Sequence, residues 1–426
     1  MGMNIALLTQ YYKPEMGAPQ NRLYEMVDGL KNRGHDMCVV TAMPNYPTGA
    51  IFKEYKKKFS FCEKVDGIEV KRYWLYASNA KKTLPRIWNM LSFSLTSLCC
   101  LRYLRKKKTN ILIVESPPLT LCITAYILAR LSGAKLVTNI SDLWPLSAKE
   151  LGAVSEKSFV YRSLERMEKF VYRKSDLCMG QSAQIVDYIK QKGGKNVFLF
   201  RNGVDPSRFA SVSHKPKKEN APIRIVYAGL LGFAQGIYSL CKNVDFKKLN
   251  VEFHIYGAGG EQTLLEEYLS THPDCGIFFH GKVGREDIPN VLAEADATLI
   301  PLTKPIFGAV PSKIYESMAA GVPILFSGGG EGEEIIKKYD LGWCAKAGDY
   351  ATISDNIRLL ILHPETLAQK RENCQFCALN IFNRPKQIEA LDYNLSSTVS
   401  RGNTPFTSYT TPSARTQART SFSKKH

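Results

Sequence analysis

No uninterrupted apolar run in the sequence approaches the roughly 20 residues that a helix needs to cross a bilayer. The strand-like run at residues 5–8 is too short, and the longer apolar stretch at residues 87–104 is broken by Asn89 and four hydroxyl residues. That stretch makes a poor spanning helix and a plausible interfacial one. Met1, Gly2, Met3 and Asn4 lead straight into the first strand-like run, which predicts a chain without a cleavable leader. Acidic residues are also scarce, 39 against 57 basic ones, for a formal charge of +18. Such a surplus asks for a polyanionic partner. No RNP-type, zinc-finger or helix-turn-helix pattern accompanies it, so nucleic acid is not expected, and an anionic membrane surface or a phosphorylated substrate remains. Metal signatures are missing too. The eleven cysteines are scattered, and the lone pair Cys374 and Cys377 has neither a second pair nor a flanking histidine ladder. The thiols read as reduced and packed as small hydrophobes. No Asp-x-Asp cluster stands at a strand end, and no metal or other cofactor is expected.

What is present fits two globular domains: 426 residues, 44% apolar and 11% aromatic. A strand at residues 4–9, a loop with Pro14, Gly17 and Pro19, a helix at 21–33 and a strand at 37–41 open a doubly wound α/β domain. Gly17 lets a backbone approach a ligand, or is an ordinary turn glycine; Arg22 follows in the first turn beyond it. A strand at 136–140 ends at Asp142. A carboxylate at a strand tip suits a group that orients a reacting hydroxyl, and equally suits a helix cap. Residues 211–222, rich in lysine and proline, read as a linker. A second domain begins with a strand at 223–227 and a glycine loop containing Gly229, Gly232 and Gln235, whose amides could cradle phosphate oxygens.

The most informative stretch is a βαβ unit. A strand at 297–301 and another at 322–326 bracket a short helix that begins at Pro311 and Ser312 and ends at Gly321. Lys313 and Glu316, three residues apart, share one face of its first turn at the carboxyl edge of a parallel sheet. A cation beside free helix amides suits phosphate, and a carboxylate one turn on suits a pair of sugar hydroxyls; an exposed, solvated pair is the alternative.

Tyr315-Glu316-Ser317-Met318-Ala319-Ala320-Gly321-Val322-Pro323 resembles the second half of the glutamate-x7-glutamate motif of retaining glycosyltransferases of family 4, which have the GT-B fold. The resemblance implies two Rossmann-like domains facing a cleft, and it covers nearly all of both. It implies that Glu316 holds the ribose of a nucleotide-sugar. The first glutamate would fall at Gly308. The Val310-Pro311-Ser312-Lys313 wording there looks like the WbuB-type branch, which includes amino-sugar transferases of O-antigen and capsule synthesis. Ser141-Asp142-Leu143-Trp144-Pro145 resembles the family's His-Asp-Leu-Trp-Pro region, making Asp142 a candidate for acceptor binding or catalysis. In the family the loop around Gly17 lies near the donor diphosphate and the acceptor. The loop at Lys282 and Val283 resembles its base-binding loop, and Arg201-Asn202-Gly203-Val204-Asp205 matches the turn before the crossover. Family members usually carry an arginine and a lysine in the phosphate loop. Here those places hold Leu230 and Gln235, so Lys313 is expected to supply charge to the diphosphate, with Arg22 as the next candidate.

The resulting expectation is an N-terminal acceptor domain at residues 1–210, a linker at 211–222 and a nucleotide-sugar domain at 223–380. A helix at 381–395 is expected to cross back, as often in GT-B enzymes, ahead of a disordered basic tail at 396–426. The acids after the glycine run at 328–330 repel phosphate, so donor-sugar hydroxyls are the better guess for that segment. The activity implied is retaining transfer from a UDP-sugar, with an N-acetylated amino or deoxyamino sugar such as L-FucNAc as the donor group, to a lipid-linked or saccharide acceptor. A GT-B nucleotide-sugar 2-epimerase and a non-catalytic, membrane-associated binding module are the alternatives. Basic residues at 53–64 and 81–108, ending in Arg105, Lys106, Lys107 and Lys108, flank the apolar stretch and point to peripheral contact with the inner face of the plasma membrane.

Overall fold

The computed structural model describes residues 2–15, 17–80, 83–150, 154–210 and 221–400. The linker from 211 to 220, Lys81, Lys82 and the tail from 401 lie outside the described residues. The N-terminal domain is built on an eight-stranded sheet: β1 (Asn4–Leu8), β2 (Asp36–Ala42), β3 (Ser60–Val65), β4 (Ile68–Tyr73), β5 (Ile111–Ser116), β6 (Lys135–Ile140), β7 (Leu177–Gly180) and β8 (Val197–Leu199). Their spatial order is β3-β4-β2-β1-β5-β6-β7-β8. The second domain has six strands, β9 (Ile223–Ala228), β10 (Val251–Tyr256), β11 (Ile277–Phe279), β12 (Ala297–Pro301), β13 (Ile324–Gly328) and β14 (Gly342–Lys346), in the order β11-β10-β9-β12-β13-β14. The central strands are near-continuous apolar runs because helices cover both faces of a parallel sheet. Each sheet accordingly has one buried cluster on either side.

Among the described strands only β3 and β4 pair antiparallel. Their turn is Asp66-Gly67, with φ of 50° and 76°, the left-handed pair that a two-residue hairpin requires. In sequence, residues 53–64 read only as a segment dense in lysine. Alternating exposure along β3 puts charged residues between the apolar ones, and the Asp-Gly signal went unused. The apolar stretch at 87–104 is likewise not one helix: it divides into Thr83–Thr96, a 3-10 turn at Ser97–Cys100 and Leu101–Lys106.

The last helix, Arg384–Ser400, is longer than expected, so residues 396–400 are helical rather than part of the tail. It leaves the second domain and buries Ile388, Leu391 and Leu395 among Leu23, Met26, Val27 and Leu30 of the N-terminal domain. Gly29 permits this approach, since a Cβ there would stand 2.5 Å from Ile388 Cδ1. Asp392 then accepts from Arg33 at 2.7 Å and pairs with His35 at 2.8 Å. Among the described residues no helix is long and apolar enough to cross a membrane.

Candidate active site

The helix Ser312–Ala320 starts behind Pro311 and is closed by Gly321, whose φ of 65° is the left-handed cap the sequence suggested. Its buried side, Ile314, Tyr315, Ser317 and Met318, packs on the sheet, which turns Lys313 and Glu316 toward the cleft side. Both are half-buried and, with Val226, Ala228, Thr298 and Ile300, line one small cavity. Burial pushes the Glu316 carboxyl above its ordinary range, opposed by the charges of Arg208, Lys313 and Arg285. Burial pulls the Lys313 ammonium down, opposed by Glu316. Each therefore stabilises the charged form of the other against desolvation.

Lys313 Nζ lies 5.3 Å from the centre of the Tyr227 ring. It also fills the space that a Cβ on Gly229 would need: that atom would be 2.1 Å from Lys313 Cε and 2.6 Å from Nζ. The glycine loop after β9 and the cation are thus in contact, although 84 residues separate them in sequence (313 less 229). Gly232 accommodates Gln235, whose Oε1 would stand 2.7 Å from a Cβ there. Gln235 offers this loop an amide where a cation could have stood. Lys282 is exposed and Val283 packs at the edge of the second domain's core, both in the turn after β11.

The N-terminal side of the cleft is assembled from strand ends. Gly17 precedes the helix Ala18–Asn32, and a Cβ on it would meet Gln20 Oε1 at 2.5 Å. Arg22 is not a free cation. It donates to buried Glu115 at 2.5 Å and to Gln181 at 3.0 Å, so its charge is already balanced, and it is a poor reserve for the diphosphate. Glu115, at the carboxyl end of β5, also accepts from Asn139 at 2.6 Å. Nothing local in the sequence marks its partners, which lie 93 and 24 positions away. Asp142 follows β6 and accepts a hydrogen bond from the Ser147 hydroxyl at the start of the helix Leu146–Glu150.

Two contacts tie the domains together at this place. Gly308, at the place of the family's first glutamate, has φ of 76° and donates its amide to Gln184 Oε1 at 2.9 Å; a Cβ would stand 2.7 Å from Ile185 Cγ1. A glutamate there would meet the N-terminal domain. Glu331, in the segment read as facing donor hydroxyls, spends its carboxylate on Arg201 and the Gln184 amide instead. A third bridge went unread: Glu25 of the first domain takes Arg285 and, at 3.5 Å, Arg384. Arg285 and Arg208, whose Nη2 donates to the Arg285 carbonyl at 3.2 Å, are cations near Glu316 that no local motif marks.

The family models match both domains. The model described as Glycosyl transferase 4-like domain covers residues 17–203, and Glycosyl transferases group 1 covers 210–375. The chain is a GT-B glycosyltransferase. Its sequence is 26% identical over 334 residues to an Escherichia coli K12 protein named as a colanic acid biosynthesis glycosyl transferase, WcaI, covering 75% of this chain and 82% of that protein. It is 24% identical over 261 residues to a Pseudomonas aeruginosa protein named as the glycosyltransferase WbjE, covering 58% of this transferase and 64% of that protein. The fold superposes on Anabaena HepE, solved in complex with UDP, with a TM-score of 0.67 at 16% identity over 93% of this chain and 100% of that one.

Proposed function

We propose that this transferase moves a sugar from a UDP-sugar donor to a lipid-linked or saccharide acceptor in bacterial surface polysaccharide synthesis, with retention at the anomeric carbon. The observation that carries the donor half is the contact between Lys313 and Gly229 beside Glu316. It joins a cation to the glycine loop with a carboxylate one turn on, in the order that a diphosphate and a ribose need; the Gly229 and Leu231 amides themselves donate to the Tyr256 and Ala258 carbonyls at 2.8 and 3.0 Å, so the charge rests on Lys313. In this reading Glu316 takes the ribose hydroxyls, and Lys313 beside the loop from Gly229 to Gly232 takes the diphosphate. Gln235 lies beside them, the turn at Lys282 and Val283 takes the base, and Asp142 serves the acceptor hydroxyl. The relatives' roles in colanic acid and other glycosyl transfer support a polysaccharide pathway, as does UDP in HepE. The Val310-Pro311-Ser312-Lys313 wording supports the WbuB-type branch and an N-acetylated amino or deoxyamino sugar such as L-FucNAc.

Peripheral binding at the anionic inner leaflet belongs to the same reading, on a relocated surface. The helix Thr83–Thr96 exposes Leu84, Ile87, Trp88 and Leu95. Beside it run Trp74, whose carbonyl accepts from Thr96 at 2.6 Å, and Tyr76, whose amide donates to Ser92 at 2.8 Å. Amphipathic aromatic and aliphatic surface of this kind suits a headgroup boundary. Arg105 and Lys107, which the sequence reading made anchors, are engaged with the Leu131 carbonyl and Glu69.

Incubation with UDP-sugars and analysis of products tests the reading. Transfer or slow hydrolysis with retained anomeric configuration is expected, and mass analysis of the glycan accumulating in a deletion strain identifies the acceptor. Interconversion at C2 without acceptor would establish the epimerase instead, and no turnover with intact membrane binding would establish the binding module.

A further inference from the structure

The edge of the second domain's sheet carries a ladder of stacked rings. His254 of β10 pairs in register with Phe278 of β11, and His280 follows directly after that strand. Their rings form one column with Tyr256: Phe278 on His254 with centres 4.8 Å apart, His254 on His280 at 5.1 Å, and His280 on Tyr256 at 4.3 Å. Two hydrogen bonds run in series through it. His254 Nε2 lies 3.1 Å from the Glu252 carboxylate, and His254 Nδ1 lies 2.9 Å from His280 Nε2. An ionised carboxylate only accepts, so the neutral His254 carries its proton on Nε2, its Nδ1 is an acceptor, and His280 Nε2–H donates to it.

The bond between the two imidazoles responds to protons in two steps. A first proton is taken up with the bond kept, on the other nitrogen of His280 or by reversal of the bond. A second puts N–H groups on both facing nitrogens, 2.9 Å apart, and the bond is lost. The charged groups facing the pair come from three elements. Glu252 stands beside His254 on β10; Arg224 on β9 pairs with Glu294 at 2.8 Å and donates to the Tyr256 hydroxyl at 2.8 Å; Glu294 itself ends the helix Ile288–Ala293. Burial lowers both imidazoles below their ordinary value of 6.5, and Arg224 adds to it, while Glu252 opposes at His254 and Glu294 at His280. The folded chain therefore takes up these protons less readily than the unfolded one. Stability from this place is full at neutral pH and is lost as pH falls below about 6.5.

What the pair holds is the turn after β11. A strand of three residues at the edge of a sheet has few ladder bonds, so local opening there costs little. Beyond it the His280 amide donates to the Ile255 carbonyl at 2.9 Å, and the Gly281 carbonyl accepts from the Gly257 amide at 2.7 Å. Lys282 and Val283 come next. We propose that His254 and His280 form a proton-operated lock on this turn: neutral or singly protonated, they hold it against β10 in the shape that receives the nucleotide base, and doubly protonated, they release it. This rests on the reading of Lys282 and Val283 as the base turn and adds to it a dependence of donor binding on pH.

Hydrogen exchange of the full chain at pH 7.5 and pH 5.0, each corrected for the intrinsic rate, reads the turn without any ligand. Protection over residues 277–283 in the wild type is expected to fall about tenfold on acidification, the effect of a one-unit difference in pKa between the locked and released forms. His280→Gln, whose amide can donate or accept, should keep its protection at both values. His280→Phe, which keeps the ring and loses the bond, should show low protection that does not change with pH. Equal wild-type protection at the two values, or the same fall in both variants, would overturn the lock. Calorimetric titration with UDP on the same proteins reads the coupling. Protonation of UDP itself is common to all three, so between pH 7.5 and pH 5.0 the wild type should lose about tenfold more affinity than His280→Gln. Equal losses with the change in protection intact would overturn the link to the donor. Absence of UDP binding in every protein at both values would instead sink the assigned donor and leave the lock standing on its exchange.

Discussion

Gly229 and Lys313 compete for one volume, with an ideal Cβ on the glycine only 2.1 Å from Cε of the lysine. A side chain at 229 would displace the cation from the glycine loop. Gly229→Ala and Lys313→Ala should each weaken UDP binding, and the weakening should shrink as salt is added. The double variant should be little worse than Lys313→Ala alone, since both changes remove the same contact. Calorimetric titration with UDP measures this, and fully additive losses would separate the two residues.

Glu316→Gln should keep the fold and lose a charged hydrogen bond to ribose, at a cost of about 1.5 to 3 kcal/mol in donor affinity. Uridine and UDP should lose equally, because the ribose is common to both. An effect confined to UDP would move Glu316 to the phosphates.

Restoring the family's first glutamate should fail here. Gly308 has φ of 76°, and Ile185 stands 2.7 Å from a Cβ, so Gly308→Glu forces the domains apart and strains the turn. A loss of roughly 1 to 3 kcal/mol in unfolding free energy is expected. Small-angle scattering should record a more open molecule. An unchanged scattering profile with unchanged stability would mean that the contact at Gly308 does not hold the domains.

Glu168 is buried, and the hydroxyls of Tyr172 and Tyr188 donate to it at 3.0 and 3.1 Å. Burial still pushes its carboxyl up to about 7. The folded group holds its proton above the pH at which the unfolded one loses it, near 4.5. Its contribution to stability is therefore full below that pH and is lost as pH rises to about 7. Glu168→Gln should flatten this fall, which amounts to about 3 kcal/mol at most. Urea unfolding of both proteins at pH 5 and pH 8 reads it, and parallel slopes would place the titration elsewhere.

The chain's class was written locally. Apolar runs of strand length alternating with helical periodicity specify a parallel sheet. Pro311 and Gly321 bound a helix by backbone chemistry alone, and Lys313 and Glu316 share its face because the helical repeat puts them there. Such features depend on neighbours a few positions away, so the sequence suffices to read them. Tertiary structure decided the partners: that Arg22 is neutralised by Glu115, that Glu331 reaches Arg201, that Gly308 lies under Ile185, and that Lys313 occupies the space of a missing Cβ at Gly229. These are contacts between residues tens to hundreds of positions apart. Their energies depend on burial and distance, which composition and spacing do not carry. The last helix illustrates both halves: a helix near 381–395 that crosses back is expected from the sequence and its resemblance, but its length to Ser400 follows only from the surface of the N-terminal domain that it covers.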